Sequence, residues 1–172
     1  DLVRDGETGY IYPLDDVAFL AMDLLAHGRR DLAFRLLDAY LEASGDHDGL
    51  PALRFFLVSR ALVRAEVGAL GESRGVATHG GCTALDYLRV AASLAAGADA
   101  RLAITHGLPG SGKSFVSGQL VETVGAIRAR SDVERKRLFD LGALEPSRGR
   151  VRDGIYGPDA TRRTYARLHA IA

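Results

Sequence analysis

The stretch GLPGSGKS, residues 107–114, decides the fold that this sequence is expected to adopt. It fits the pattern G-x-x-x-x-G-K-[ST], whose glycines let the backbone curl so that successive N–H groups point inward at phosphate oxygens. A short apolar segment with β-branched Ile104 and Thr105 precedes it, and a helical pattern follows. The sequence therefore predicts a phosphate-binding loop between a strand and a helix, rather than a glycine turn ahead of an ordinary helix.

The predicted loop implies a set of nucleotide ligands. Lys113 is placed to reach the β- and γ-phosphates and so to act in catalysis, and the Ser114 hydroxyl is placed to bind Mg²⁺. The N-terminal end of the following helix adds its positive dipole. The predicted nucleotide-binding residues are Gly107, Gly110, Ser111, Gly112, Lys113 and Ser114. ATP and Mg²⁺ are therefore the expected cofactors.

The pattern on either side of the loop predicts two domains. Residues 1–98 carry four helical patterns, over 14–27, 30–44, 50–70 and 83–96, each followed by a glycine that suits a helix C-terminus. Residues 99–172 carry predicted strands at 101–106 and 125–130 and predicted helices at 112–124, from Ser131, where Glu134 completes a capping-box spacing, and from Pro158. The expected fold is an α/β P-loop NTPase fold with a partial parallel sheet, preceded by an all-α helical bundle.

Charge is divided unevenly between these two parts, although 22 basic and 22 acidic residues balance overall. Residues 1–98 hold 9 Arg, no Lys and 14 acidic residues, whereas residues 99–172 hold 13 basic and 8 acidic residues. A basic second half suits an anionic ligand such as a nucleotide phosphate, and a solvated surface would give the same bias.

Composition also bounds the setting of the protein. No apolar run approaches the roughly 18 residues that a membrane span needs. The single cysteine, Cys82, excludes an internal disulfide and a cysteine zinc cluster, and it suits a reducing cytoplasm. Because the chain starts with Asp1 rather than Met, we expect a piece of a longer protein.

Two other nucleotide-using classes do not fit the sequence. A GTPase needs an N-K-x-D guanine reader, and the chain contains no Asn. A motor-type ATPase needs an apolar strand that ends in an acid, and the second predicted strand, with Arg128 and Arg130, is too polar. That strand is followed by Asp132, at the edge of the sheet where α/β proteins place ligands. Asp132 is the predicted catalytic carboxylate that orients a substrate hydroxyl. The alternative is that its negative charge only interacts favourably with the positive end of the helix dipole.

Four arginines are the predicted substrate-binding residues. Arg130 and Arg135 flank Asp132 and could clamp an anionic substrate. Arg162 and Arg163 could approach the transferred phosphate, although exposed helix arginines are usually only solvated.

Three segments together resemble the N-terminal half of the bacterial P-loop kinases labelled AAA-type ATPases or predicted kinases: ITHGLPGSGKS, GAIRARSDVERKRLF and YGPDATRRTYARL. That group is similar to chloramphenicol phosphotransferase, zeta toxins and gluconate kinase, and the resemblance implies that Asp132 contacts the accepting hydroxyl. Residues 14–46 and 53–67 resemble the final helices of an aminoglycoside-phosphotransferase-like module, which implies a two-part protein.

The expected function is therefore transfer of the ATP γ-phosphate to a hydroxyl of a small molecule, with low activity in this 172-residue piece. Two alternatives stay open. One is a non-catalytic module in which nucleotide controls docking of the helical half. The other is a nucleic-acid end kinase, which the basic stretch 128–152 permits but which ranks lower because no aromatic residues interleave that stretch. No membrane partner is expected.

Overall fold

The structure of the protein is a computed structural model that describes residues 2–4, 7–9, 12–75, 81–97, 100–142 and 155–172. Within these residues the chain forms a short hairpin followed by seven helices. The hairpin strands are β1 (Leu2–Arg4) and β2 (Glu7–Gly9). The helices are α1 (Pro13–Ala26), α2 (Arg30–Ser44), α3 (Leu50–Ser73), α4 (Ala84–Ala96), α5 (Lys113–Val124), α6 (Ser131–Arg137) and α7 (Pro158–Ile171).

The hydrophobic core lies among the first four helices. Helix α3 packs against α4 and α1, and α1 packs against α2. The largest fully buried members of this core are Leu14, Met22 and Leu37. Burying a side chain of this size stabilises the fold by about 1.5–3 kcal/mol, so these helices supply a substantial share of the folding free energy.

A buried phenol joins α4 to α1 across this core. The Tyr87 hydroxyl donates a hydrogen bond of 2.7 Å to Asp23. Burial, and then the hydrogen bond and charge of Asp23, raise the pKa of Tyr87 to about 12. The phenol therefore stays protonated, and the bond stays intact, throughout the physiological pH range.

The four helices predicted over 14–96 are observed. Their starts follow the expected local chemistry, because Pro51 lies in the first turn of α3 and Thr83 caps α4 through a capping box with Asp86. Helix α3 continues through Gly71 to Ser73, although Gly71 was expected to end it. Packing against α1 and α4 stabilises α3 enough to override one unfavourable glycine.

The prediction of a parallel α/β sheet is wrong. Residues 101–106 and 125–130, both expected to be strands, form no strand, and the only strands in the described parts of the chain are the antiparallel pair β1 and β2. A short apolar segment becomes a strand only when a neighbour pairs with its N–H and C=O groups. Leu102 and Ile104 are instead 71% and 82% exposed, and the second segment uses its arginines to contact α2.

The structure also differs from two smaller predictions. The hairpin of β1 and β2 adds strands to a region expected to be all helical. The predicted capping box at Ser131 does not form, because Arg130 is the N-cap residue of α6 and makes no side-chain cap. Glu134, the expected partner of Ser131, instead forms an ion pair with Arg137. The basic stretch 128–152 lies partly outside the described residues, which end at 142 and resume at 155.

The three C-terminal helices pack in two separate pairs. Helix α5 packs against α2, and α6 packs against α7. No described helix has the length and apolarity required to cross a bilayer.

We expect Leu57→Ala on α3 to lower the free energy of unfolding by about 2–5 kcal/mol, because it leaves a cavity in the core. Leu57 is 6% exposed, whereas Leu62 on the same helix is 48% exposed and provides the matched control. Leu62→Ala should change the same quantity by less than about 0.5 kcal/mol. Urea unfolding followed by circular dichroism measures both, and equal effects would contradict the core described here.

Candidate functional site

The glycine-rich loop turns sharply ahead of α5. Gly107 has φ +153°, and a Cβ placed there would lie 2.8 Å from the Ser111 Oγ, so only glycine lets this hydroxyl approach the backbone so closely. Gly112, the N-cap residue of α5, has φ +81° in the left-handed region, which side chains rarely adopt. The loop is therefore curled as the sequence predicts, with a conformation that depends on its glycines.

The Lys113 ammonium lies inside this curl. Its Nζ donates hydrogen bonds to the carbonyl oxygens of Gly107, at 2.7 Å, and Leu108, at 2.6 Å. The Ser111 Oγ lies 3.4 Å from the same nitrogen. One cation thus joins both ends of the loop and places a positive charge where the sequence predicts phosphate contacts.

The loop is open to solvent. Residues 107–112 are exposed, and so is Ser114, in the first turn of α5. The N–H groups at the start of a helix have no intrahelical partner, and the helix dipole makes them attractive to anions. The exposed loop, the Lys113 side chain and the start of α5 therefore lie together at the surface, where the sequence predicts an anion site.

Helix α2 holds α5 through Arg128. The Arg128 guanidinium donates to both carboxylate oxygens of Asp38, at 3.0 and 2.5 Å. It also donates to the carbonyl oxygen of Ser114 at 3.3 Å and lies 3.4 Å from the Ser117 hydroxyl. Arg128 thereby connects a carboxylate of the helical half to the first turn of the helix that follows the loop.

The opposite end of α5 is held by the same helix. Arg30 donates a hydrogen bond of 3.0 Å to the carbonyl oxygen of Val124, the last residue of α5. The Arg30 guanidinium lies 4.7 Å from the centre of the Phe34 ring, which fixes its orientation. Helix α2 therefore contacts α5 at both of its ends.

Asp132 lies in the first turn of α6, and about half of its side chain is exposed. Its carboxylate is 3.3 Å from the Lys136 ammonium and 3.4 Å from the Tyr156 hydroxyl. Because α6 packs against α7 while α5 packs against α2, helix packing does not bring Asp132 to the glycine loop. The predicted acid is accessible and lies beside a cation and a phenol.

The two arginines that flank Asp132 have protein partners. Arg130 donates a hydrogen bond of 2.8 Å to the carboxylate of Glu42 on α2. Arg135 is only 8% exposed. It donates to the Ile155 carbonyl and the Thr161 hydroxyl, both at 3.0 Å. In this structure Arg130 joins the two halves and Arg135 holds α7 against α6.

The two predicted arginines of α7 are exposed. Arg162 pairs with Asp159 at 3.0 Å, and the Arg163 guanidinium lies 5.7 Å from the centre of the Phe139 ring. Both stay available to an anion, because exposed pairs of this kind are weak.

A buried cluster of charges lies under α6 and was not expected from the sequence. Glu134 and His47 are 2% and 6% exposed. Glu134 pairs with Arg137, lies 3.7 Å from the Arg167 guanidinium and 4.0 Å from the His47 ring. Arg137 also donates to the Glu42 carbonyl oxygen at 2.8 Å. A small cleft beside this cluster is lined by Glu42, His47, Arg128, Arg130, Val133 and Glu134.

Sequence reasoning missed Asp38, Glu42 and Arg128 as residues that shape the site. The available signal was the opposite net charge of the two halves, which was interpreted as affinity for an anionic ligand or as a solvated surface, and not as contact between the halves. Helical spacing also puts Asp38 and Glu42 one turn apart on a single face of α2, where they meet Arg128 and Arg130.

Comparison with known sequences now adds to this geometry. Residues 102–172 match the family described as an AAA domain. This part of the chain is therefore similar to P-loop NTPase domains, and the match suggests nucleotide binding of the kinase or ATPase kind. Such a domain implies ATP, typically with Mg²⁺.

The chain is also similar to proteins of mycobacteria that are themselves named uncharacterized. One is from Mycobacterium bovis, and two are from the CDC 1551 and H37Rv strains of Mycobacterium tuberculosis. Each is 36% identical to this chain over 152 residues, which are 88% of the chain and 30% of the relative. The chain thus spans about a third of the length of these relatives. No solved structure matches it.

We expect Gly112→Ala to lower the free energy of unfolding by about 1–3 kcal/mol, because its left-handed conformation is strained for alanine. Gly118 on α5 is the matched control, since a Cβ there would meet only Arg128, at an ordinary 3.7 Å. Gly118→Ala should instead raise stability by about 0.5–1 kcal/mol, because alanine favours a helix interior. Opposite signs in urea unfolding support the curled loop, and a neutral Gly112→Ala contradicts it.

Proposed function

We propose that this chain binds ATP at the glycine loop and belongs to a phosphotransferase that moves the γ-phosphate to a hydroxyl of a small molecule. The observation that carries the proposal is the curl of residues 107–114 around the Lys113 ammonium, at the start of α5. The AAA-domain match covers the same loop, and the AAA family includes kinases.

The residues present fit ATP and Mg²⁺. A Cβ at Gly107 would lie 2.8 Å from the Ser111 Oγ and 3.9 Å from the Lys113 Cδ, so glycine lets these two side chains lie against the backbone of an exposed loop. The residues that would hold the phosphates are Gly107, Gly110, Ser111, Gly112 and Lys113, and the exposed Ser114 hydroxyl would contribute to the Mg²⁺ site. Mg²⁺ in such sites neutralises charge on the β- and γ-phosphates. Lys113 would exchange its carbonyl partners for phosphate oxygens.

Asp132 would orient the accepting hydroxyl and take up its proton. A phosphoryl-transfer transition state is loose, so the carboxylate mainly positions the nucleophile. Its exposure supports this role, because a substrate hydroxyl can reach the carboxylate. Because Asp132 and α5 lie on different helix pairs, transfer requires that the substrate, or a movement of α6 and α7, connects them.

A second candidate function is a nucleotide-dependent interaction module. Contacts of α2 with both ends of α5 favour this function. A conformational change in the loop would be transmitted to the helical half through Arg128 and Arg30. In that case ATP would bind and no phosphate would be transferred. The resemblance of the helical half to the end of an aminoglycoside-phosphotransferase-like module stays a prediction, and a fold resemblance does not identify a substrate.

We expect Lys113→Ala to weaken binding of a fluorescent ATP analogue by tenfold or more, because a charge-assisted contact to phosphate contributes about 1.5–3 kcal/mol. Lys136→Ala is the control, since it removes the only other lysine and leaves the loop intact. Its dissociation constant should stay within about twofold of wild type. Equal effects of the two substitutions would contradict nucleotide binding at this loop.

We expect Asp132→Asn to slow phosphate transfer by about 10²–10⁴-fold, as loss of a general base does, with the dissociation constant for ATP unchanged. Single-turnover ³¹P NMR with excess protein and a panel of sugars and amino-alcohols detects slow transfer. Asp159→Asn, at an exposed carboxylate of α7, is the control. Transfer that survives Asp132→Asn would remove this residue from the mechanism, and ATP binding without transfer to any acceptor would favour the interaction module.

A further inference from the structure

We propose that Asp38 on α2 is a positioning residue for the nucleotide loop, acting through Arg128. This inference rests on the proposed function and deepens it, because it assigns to the helical half the task of fixing where the loop presents its N–H groups.

Asp38 and Arg128 form a close ion pair. The two side chains are 14% and 17% exposed, and the guanidinium faces the carboxylate with two parallel hydrogen bonds. Paired geometry of this kind fixes both the distance and the plane of the guanidinium. Glu42, one turn further along α2, lies 3.6 Å from the same group. The Arg128 side chain is therefore held by α2.

Arg128 also contacts the first turn of α5. Its Nη1 atom donates to the Ser114 carbonyl oxygen and lies against the Ser117 hydroxyl, which itself donates to that carbonyl at 3.2 Å. Ser114 directly follows Lys113, so this contact reaches the chain one residue from the predicted phosphate ligand. A displaced Arg128 would release the first turn of α5.

The loop has few other packing contacts in the described parts of the chain. Residues 101–112 are exposed throughout, and they pair with no strand in the described parts of the chain. Within those parts, α5 packs mainly on α2. The orientation of the loop therefore depends on α2, and Asp38 and Arg128 provide the link nearest to its ligands.

Asp38→Asn tests this link, and Asp31→Asn is the matched control. Asp31 lies in the first turn of the same helix, about half exposed, and pairs only locally with Arg29. Two quantities are measured at a temperature where every variant is fully folded. They are the hydrogen–deuterium exchange of the 116–118 amides without ligand, and the dissociation constant of inorganic tripolyphosphate with Mg²⁺.

We expect Asp38→Asn to speed exchange at these amides and to raise the dissociation constant roughly fivefold or more, a typical size for coupling between sites. Asp31→Asn should change neither, and Asp38→Glu should restore most of both. A purely structural role would lower the unfolding temperature and leave the affinity of the folded protein unchanged. Unchanged exchange, or faster exchange with unchanged affinity, would overturn the proposal.

A second variant covers the case in which Asp38→Asn does not fold. Arg128→Lys keeps a cation beside Asp38 but cannot also reach the Ser114 carbonyl, so it should fold and show the same two changes. A folded Arg128→Lys with wild-type exchange and affinity would overturn the proposal. If the wild-type chain binds neither tripolyphosphate nor ATP, the proposed function fails, and the exchange measurement still decides whether Asp38 holds α5.

Discussion

The link between the helical half and the glycine loop that lies nearest to the loop is the ion pair between Asp38 and Arg128. Both side chains are mostly buried, and breaking such a pair by removing one partner is destabilising. The same guanidinium reaches the first turn of α5, so one side chain connects the core of the helical half to the glycine loop. The loop needs this connection because no sheet supports it in the described residues.

The opposite charges of the two halves have a structural use. Arg128 and Arg130 pair with Asp38 and Glu42, and Arg167 pairs with Asp48 at 3.0 Å. Much of the basic excess of residues 99–172 thus neutralises the acidic excess of residues 1–98. Lys113 is engaged only with carbonyl and hydroxyl oxygens of its own loop in the contacts described. A net positive charge that a sequence suggests for a ligand can instead hold two parts of a chain together.

The sequence predicted the helices and the loop better than the tertiary arrangement. Periodicity and end signals located the four helices of the bundle, and the spacing of Gly107, Gly112 and Lys113 identified a curl that the structure contains. The prediction of a strand at 101–106 was wrong. The β-branched residues Ile104 and Thr105 indicate a preference for extended structure, which becomes a strand only beside a pairing neighbour. The partners of Arg130 and Arg135 could not be predicted, since contacts between residues 20 to 88 positions apart leave no local pattern.

The central claim is that the N–H groups of residues 110–113 bind the phosphates of ATP. Titration of ¹⁵N-labelled protein with Mg-ATP, followed by amide chemical shifts, tests it directly, with adenosine as the ligand that lacks phosphates. We expect large, saturable shifts at Gly110, Gly112 and Lys113 with ATP, and none with adenosine. Unmoved loop amides at saturating ATP, or equal shifts with adenosine, would contradict it.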